Sequence, residues 1–156
     1  MRVVPADLLL FYYARHGLRD QDDRLRLALP GSMDTPRDAR RSSLPVDFVL
    51  EIMKRAAAQH RIVILDCCYS GLAMASPAAA DLHLVTATNR TAKAAYRVDA
   101  RNTEFTGELV RVLVDGPGPV DLGGLHRHLD RALLARGLPR PLQRCVDHSS
   151  DLVLRP

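Results

Sequence analysis

The sequence predicts an α/β fold built on a mostly parallel sheet, and three observations predict it. Short continuous apolar runs at Leu8–Tyr13, Ile62–Leu65 and Leu82–Thr86 have the β-branched and aromatic character of buried strands. Stretches with apolar residues at helical spacing lie between and after them. Strands and helices alternate along the 156 residues, the pattern that crossover helices impose on a parallel sheet.

Taken in order, Leu8–Tyr13 is expected to be a strand buried on both faces, ending at Ala14-Arg15-His16-Gly17. Asp20-Gln21-Asp22-Asp23 reads as a turn; it lacks the loop glycine and distal glutamate of a calcium-binding EF-hand. Arg24–Leu29 alternates with period two up to Pro30-Gly31, as a half-exposed hairpin strand does. Ser32–Ser43 is polar, carries Pro36 and unpatterned charge, and is expected to be a flexible loop. Pro45 opens a helix, with Ser43 or Leu44 near the cap and Asp47 in the first turn, where its charge suits the positive end. Val46, Val49, Leu50, Met53 and Ala57 share one face of it, and His60-Arg61 ends it before the second strand. After the third strand, Phe105, Leu109, Val112 and Leu113 mark a second helix closed by Asp115-Gly116-Pro117. Leu122, Leu125, Leu129 and Leu133 mark a third, ended by Gly137 and Pro139, and Asp151–Leu154 reads as a last short strand. Internal repeats and low-complexity tracts are absent.

Composition narrows the function classes. Apolar residues make up 47% and charged residues 26%, with a mean hydropathy of −0.10, as in a soluble globular chain of one domain spanning residues 1–156. The net charge of +4 comes almost wholly from arginine, since Lys54 and Lys93 are the only lysines. No basic run interleaves with aromatics, so no nucleic-acid partner is expected. His126 and His128, two apart on a helix, do not share a face and read as surface residues. The three cysteines are Cys67, Cys68 and Cys145, an odd set whose adjacent pair suits a structural disulfide poorly. No Cys or His spacing suits zinc, and neither metal nor cofactor is expected. Leu8–Tyr13 is too short for a signal peptide core with Pro5 and Asp7 before it, and no segment is long and apolar enough to span a membrane. A reducing cytoplasm is the expected setting.

In parallel sheets the working site lies beyond the carboxyl ends of the strands. His16-Gly17 follows the first apolar strand, and Asp66-Cys67-Cys68 follows the second. Two strand ends therefore bring an imidazole and a thiol to one edge. A cysteine nucleophile needs that pairing, because the imidazole stabilises the thiolate and supplies the leaving group's proton.

The surrounding residues carry a family resemblance. Phe11-Tyr12-Tyr13-Ala14-Arg15-His16-Gly17 resembles the "FYYSGHG" block of caspase-like cysteine peptidases, the metacaspases and bacterial caspase-family proteins. Leu65-Asp66-Cys67-Cys68-Tyr69-Ser70-Gly71 resembles their "LDCCYSG" or "DSCHSG" block. The two blocks stand in the family's order, with 52 positions between His16 and Cys68 against roughly 50 in caspases. Glu104–Leu109 and Pro139–Gln143 resemble later parts of such domains more loosely.

The resemblance implies a three-layer αβα sandwich and a cysteine endopeptidase acting on polypeptides through a Cys68/His16 dyad and an acyl-thioester. It puts the nucleophile at Cys68, directly before Tyr69-Ser70-Gly71, and leaves Cys67 to the core or, alternatively, to redox tuning of its neighbour. His16 would act as general base or as the acid for the leaving amine. The backbone N–H groups of Gly17 and Cys68 would form the oxyanion hole, a device that typically supplies ~3 kcal/mol to the transition state. Asp66, two places before the nucleophile, would line the specificity pocket and favour cleavage after Arg or Lys; the alternative is a helix-capping acid.

Departures from the family pattern leave a second reading open, a catalytically silent caspase-fold interaction module. Arg15 stands where a glycine is usual and Ala14 where a serine is common. Family domains carry one or two strands before the histidine strand, so the resemblance implies N-terminal truncation relative to them. Leu8–Tyr13 would then be a sheet edge that an upstream segment or a partner chain completes. The arginines of Arg37–Arg41 and Arg97–Arg101 read as solvated, and as places where an Arg-specific peptidase would nick itself.

Overall fold

The structure is a computed structural model that describes residues 6–92, 94, 101–146 and 151–156, with side chains from residue 8 onward. The first apolar run forms β1 (Ala6–Ala14), followed by a hairpin of β2 (Gly17–Arg19) and β3 (Leu25–Leu27). Then come α1 (Pro36–Ser42), β4 (Leu44–Pro45), α2 (Val46–Arg55) and β5 (Ala58–Asp66). Two 3₁₀ turns, Ser70–Ala75 and Pro77–Ala79, lead to β6 (His83–Thr86). The chain continues as α3 (Glu104–Val110), a π-helical turn (Arg111–Asp115), β7 (Val120–Asp121), α4 (Leu122–Ala135), β8 (Leu142–Arg144) and β9 (Val153–Arg155).

The central sheet has the order β1-β5-β6-β8. β1, β5 and β6 run parallel, and β8 is antiparallel at the far edge. The mixed α/β class and mostly parallel sheet are those the sequence predicts. Alternate side chains of β5 face opposite layers, as the period of a strand requires. Val63 and Leu65 join Leu25, Leu27, Val49, Leu50 and Met53 in one core. Ile62 and Ile64 join Phe105, Leu109, Leu122, Leu125, Leu129 and Leu133 in the other. Each such fully buried leucine or isoleucine contributes about 1.5–3 kcal/mol.

Four expectations change. β1 is not buried on both faces: Leu9, Phe11 and Tyr13 pack on the first core, while Leu8, Leu10 and Tyr12 are exposed. No described residue of β1 joins the second core, because α3 and α4 cover β5 and β6 and leave this edge of the described sheet open. Ser32–Ser43 is not all loop. Thr35 caps α1 by accepting the Asp38 N–H at 3.2 Å, Pro36 presets the first turn, and Ala39 is fully buried. Thus Arg37–Arg41 lies in a helix, whereas positions 97–100 of the second arginine-bearing stretch lie outside the described residues.

α2 ends at Arg55, leaving Ala57 exposed, and β5 begins at Ala58 although its start is polar. Pairing with β1 (Ala6 opposite Ala58, Leu8 opposite His60) holds that polar stretch extended, so tertiary pairing overrides local pattern. The last strand, β9, pairs antiparallel with β7 in a separate two-stranded ribbon rather than in the sheet. Among the described residues, no helix is long and apolar enough to cross a membrane, and no group of three metal-ligating side chains forms.

Candidate active site

The site begins with the register of β1 on β5. Ala14 stands opposite Asp66, so His16 and Cys68 each lie two residues beyond paired strand ends. Both line two cavities that meet at this edge. One, of about 510 Å³, is shared with Gly17, Leu29, Asp34 and Tyr69. The other, of about 350 Å³, is shared with Ala14, Asp66, Arg101 and Thr103. Arg15 and Ala94 line both. His16 is exposed and Cys68 half-buried, so the imidazole and the thiol are open to a ligand.

Gly17 approaches the Cys68 backbone closely. A β-carbon at Gly17 would stand 2.0 Å from the Cys68 carbonyl oxygen and 3.0 Å from Cys67 Sγ. Only a glycine fits that contact, which joins the histidine loop to the cysteine loop. The histidine loop is held from below. Tyr13 Oη lies 2.8 Å from the His16 carbonyl and 2.9 Å from the Ala28 carbonyl, to which its hydroxyl donates. The Ala28 N–H donates to the same His16 carbonyl at 3.0 Å. Burial raises the Tyr13 pKa to about 12, so the hydroxyl keeps its proton as a donor at neutral pH.

The cysteine loop has its own frame. Cys67 is fully buried in the first core, and burial pushes its thiol well above the usual range, which keeps it protonated and inert. Cys68 is thereby separated from it in environment, although adjacent in sequence. Tyr69 follows in the left-handed region (φ 59°), turning the chain sharply after Cys68. The Arg19 guanidinium stands 5.5 Å from the Tyr69 ring centre. Ser70 is fully buried: its Oγ accepts the Thr88 N–H at 3.1 Å, and Thr88 Oγ1 donates to the Cys67 carbonyl at 3.2 Å. A β-carbon at Gly71 would meet the Asn89 carbonyl carbon at 2.6 Å. The Ser70-Gly71 pair is therefore the fitting that seats the cysteine turn on Thr88–Arg90. The Ala94 N–H reaches Cys68 Sγ at 3.3 Å, and the Tyr69 N–H donates to the Ala92 carbonyl at 3.0 Å.

Asp66 ends β5 with 1% exposure. Its Oδ2 accepts from both Thr103 Oγ1 and Thr106 Oγ1, and Tyr12 Oη hydrogen-bonds Thr106 Oγ1. Its Oδ1 is buried and has no hydrogen-bond partner among the described residues. Burial raises the Asp66 pKa; the Thr103 and Thr106 hydroxyls and the Thr106 amide oppose that shift. Oδ1 is an acceptor whose hydrogen-bonding capacity is unmet among the described residues. Arg15 and Arg101, both exposed, stand at the same cavity.

Sequence reasoning missed the threonine pair, Tyr13 and the Ser70–Thr88 lock. Thr103 carries a readable signal, since it caps α3 by accepting the Thr106 N–H at 3.0 Å, the Thr-x-x pattern of a helix start. Ser70–Thr88 joins two loops and has none. The two histidines read as surface residues, His126 and His128, are both half-buried. His128 Nε2 lies 2.7 Å from Glu108 Oε1 and ties α4 to α3, the helix that carries Thr106 and is capped by Thr103.

A family model described as the caspase domain matches residues 2–146. Comparison with curated proteins finds no match. Among solved structures, that of protein GSU0716 from Geobacter sulfurreducens is similar with a TM-score of 0.61 at 17% identity, over 97% of this chain and 71% of that one. At that identity the likeness concerns the fold.

Proposed function

The chain belongs to the caspase-domain family of cysteine peptidases, and from that premise we propose that it hydrolyses peptide bonds through Cys68 and His16, after Arg or Lys. The observation that carries the proposal is the placing of His16 and Cys68 at neighbouring strand ends, each beside the same two cavities, with Gly17 packed on the Cys68 backbone.

Cys68 Sγ, as thiolate, adds to the scissile carbonyl carbon. The carbonyl π pair moves to oxygen, where the Gly17 and Cys68 N–H groups would receive it. Collapse of that tetrahedral adduct breaks the C–N bond, and His16 gives its proton to the departing amine. The acyl-thioester left on Cys68 is cleaved by water, which delivers OH to the acyl carbon and returns the proton to the dyad. The Ala94 N–H donates to the Cys68 sulfur at 3.3 Å and helps to position it.

Asp66 supports a cation at the residue before the scissile bond, because its buried Oδ1 lacks a partner among the described residues. Arg15 and Arg101 favour a second reading, an acidic residue held at the mouth of the same cavity. Depth favours Asp66, which is 1% exposed, whereas both arginines are exposed. A panel of peptides differing only at that residue tests the choice. Turnover after Arg or Lys that Cys68→Ala and His16→Ala both lose is the expected result. Turnover after Asp would overturn the specificity, and turnover that survives Cys68→Ala would overturn the nucleophile.

A further inference from the structure

The Asp66 pocket is built asymmetrically, and the asymmetry has consequences for its ligand. Both threonine hydroxyls go to the same oxygen, Oδ2. Neither is free to turn away. Thr103 Oγ1 already accepts the Thr106 N–H at 3.0 Å, and Thr106 Oγ1 is hydrogen-bonded by Tyr12 Oη. With an incoming donor occupying each hydroxyl oxygen, the hydroxyl proton that remains goes to Asp66. A carboxylate offers about four lone-pair sites over its two oxygens. Two of them, both on Oδ2, are therefore filled before any substrate arrives. Oδ1, buried and unpartnered among the described residues, is the acceptor left.

Lysine and arginine respond differently to such a site. A guanidinium is planar and binds carboxylates best as a fork, with two parallel N–H groups on two oxygens. An ammonium is a compact charge with three rotatable donors and is served by one strong acceptor. Resting on the reading of Asp66 as the base of the specificity pocket, we propose that Thr103 and Thr106 make the enzyme select lysine over arginine before the scissile bond, by occupying Oδ2 and leaving Oδ1 as the single acceptor. An arginine in this pocket keeps one N–H of its fork unpaired. The expected preference is about tenfold, the usual weight of one unpaired buried donor. Thr103 and Thr106 are positioning residues, since they act through Asp66.

The test is kcat/KM on two peptides that differ only in Lys or Arg before the cleaved bond, with the full chain. Wild type is expected to favour Lys by about tenfold. Thr106→Val frees a lone pair on Oδ2 and is expected to move the ratio toward Arg, while Thr106→Ser keeps the hydroxyl and keeps the ratio. Wild type that cuts after Arg as fast as after Lys, or faster, overturns this inference and leaves the underlying specificity reading intact. A ratio unmoved in folded Thr106→Val does the same. Cleavage after neither residue overturns both. If circular dichroism shows that Thr106→Val does not fold, the wild-type and Thr106→Ser ratios decide alone.

Discussion

Gly17 and Cys68 meet backbone to backbone, so closely that a β-carbon on Gly17 would lie 2.0 Å from the Cys68 carbonyl oxygen. The two loops that carry the imidazole and the thiol are thus fixed to each other by main chain, not by their reactive side chains. Gly17→Ala must push them apart. It is expected to cost about 1–3 kcal/mol of stability, as overpacking does, and about a hundredfold in kcat if the proposed oxyanion donors are displaced. Thermal unfolding and steady-state kinetics measure the two effects. An alanine variant with native stability and rate would contradict the contact.

Tyr13 acts on the same loop from the core side. Tyr13→Phe removes the hydroxyl that donates to the His16 and Ala28 carbonyls and leaves the ring in place. A loss of about 1 kcal/mol is expected, with the Ala28 N–H still on the His16 carbonyl. The rate should fall about tenfold with KM little changed, because the imidazole is misplaced rather than removed. A change confined to KM would assign Tyr13 to substrate binding instead.

Asp66 carries a pH signature. Its pKa is raised in the fold, so folding favours the protonated form. The stability from this group is fully present below the ordinary carboxylate value of 3.8 and is lost as pH rises through the raised value. Asp66→Asn lacks that loss. The variant's melting temperature relative to wild type should therefore climb across this window and level off above it. Turnover after Arg or Lys should vanish at the same time, separating stability from function at one residue.

The contact between α3 and α4 has the opposite sign. The Arg111 guanidinium, with the His128 imidazole, holds the Glu108 carboxyl below its usual value of 4.5. Its stabilisation is present above that value and is lost as pH falls through the depressed one. Glu108→Gln should lower the melting temperature only slightly near neutrality, since Arg111 is exposed and solvent screens the pair. Acid titration of the melting temperature should show wild type and variant converging at low pH.

Much of the frame was legible from local pattern. The apolar runs of β1, β5 and β6, the leucine face of α4 and the positions of His16 and Cys68 just past strand ends all follow from residue type and period. Tertiary context overrode the pattern elsewhere. Leu8, Leu10 and Tyr12 look like core but are exposed, because α3 and α4 pack on β5 and β6, and α3 reaches this face of β1 through Thr106 on Tyr12. The start of β5 looks like loop but is strand, because β1 pairs with it. α1 was hidden inside a polar stretch whose cap, Thr35, and first-turn Pro36 and Asp38 are each weak signals alone.

The sequence by itself determined the candidate groups: an imidazole and a thiol at two strand ends, a carboxylate two residues before the thiol, and glycines where chains must approach. Residue type and order carry that information, because strand period and the direction of a parallel sheet decide where strand ends go. Only the tertiary structure decided how completely Cys67 is sealed in the core, which oxygen of Asp66 is left without a partner among the described residues, and what holds each loop in place. Those outcomes depend on residues far apart in sequence, such as Asp66 with Thr103 and Thr106, and Ser70 with Thr88. Burial and hydrogen-bond partnership between them exist only once the chain has closed on itself.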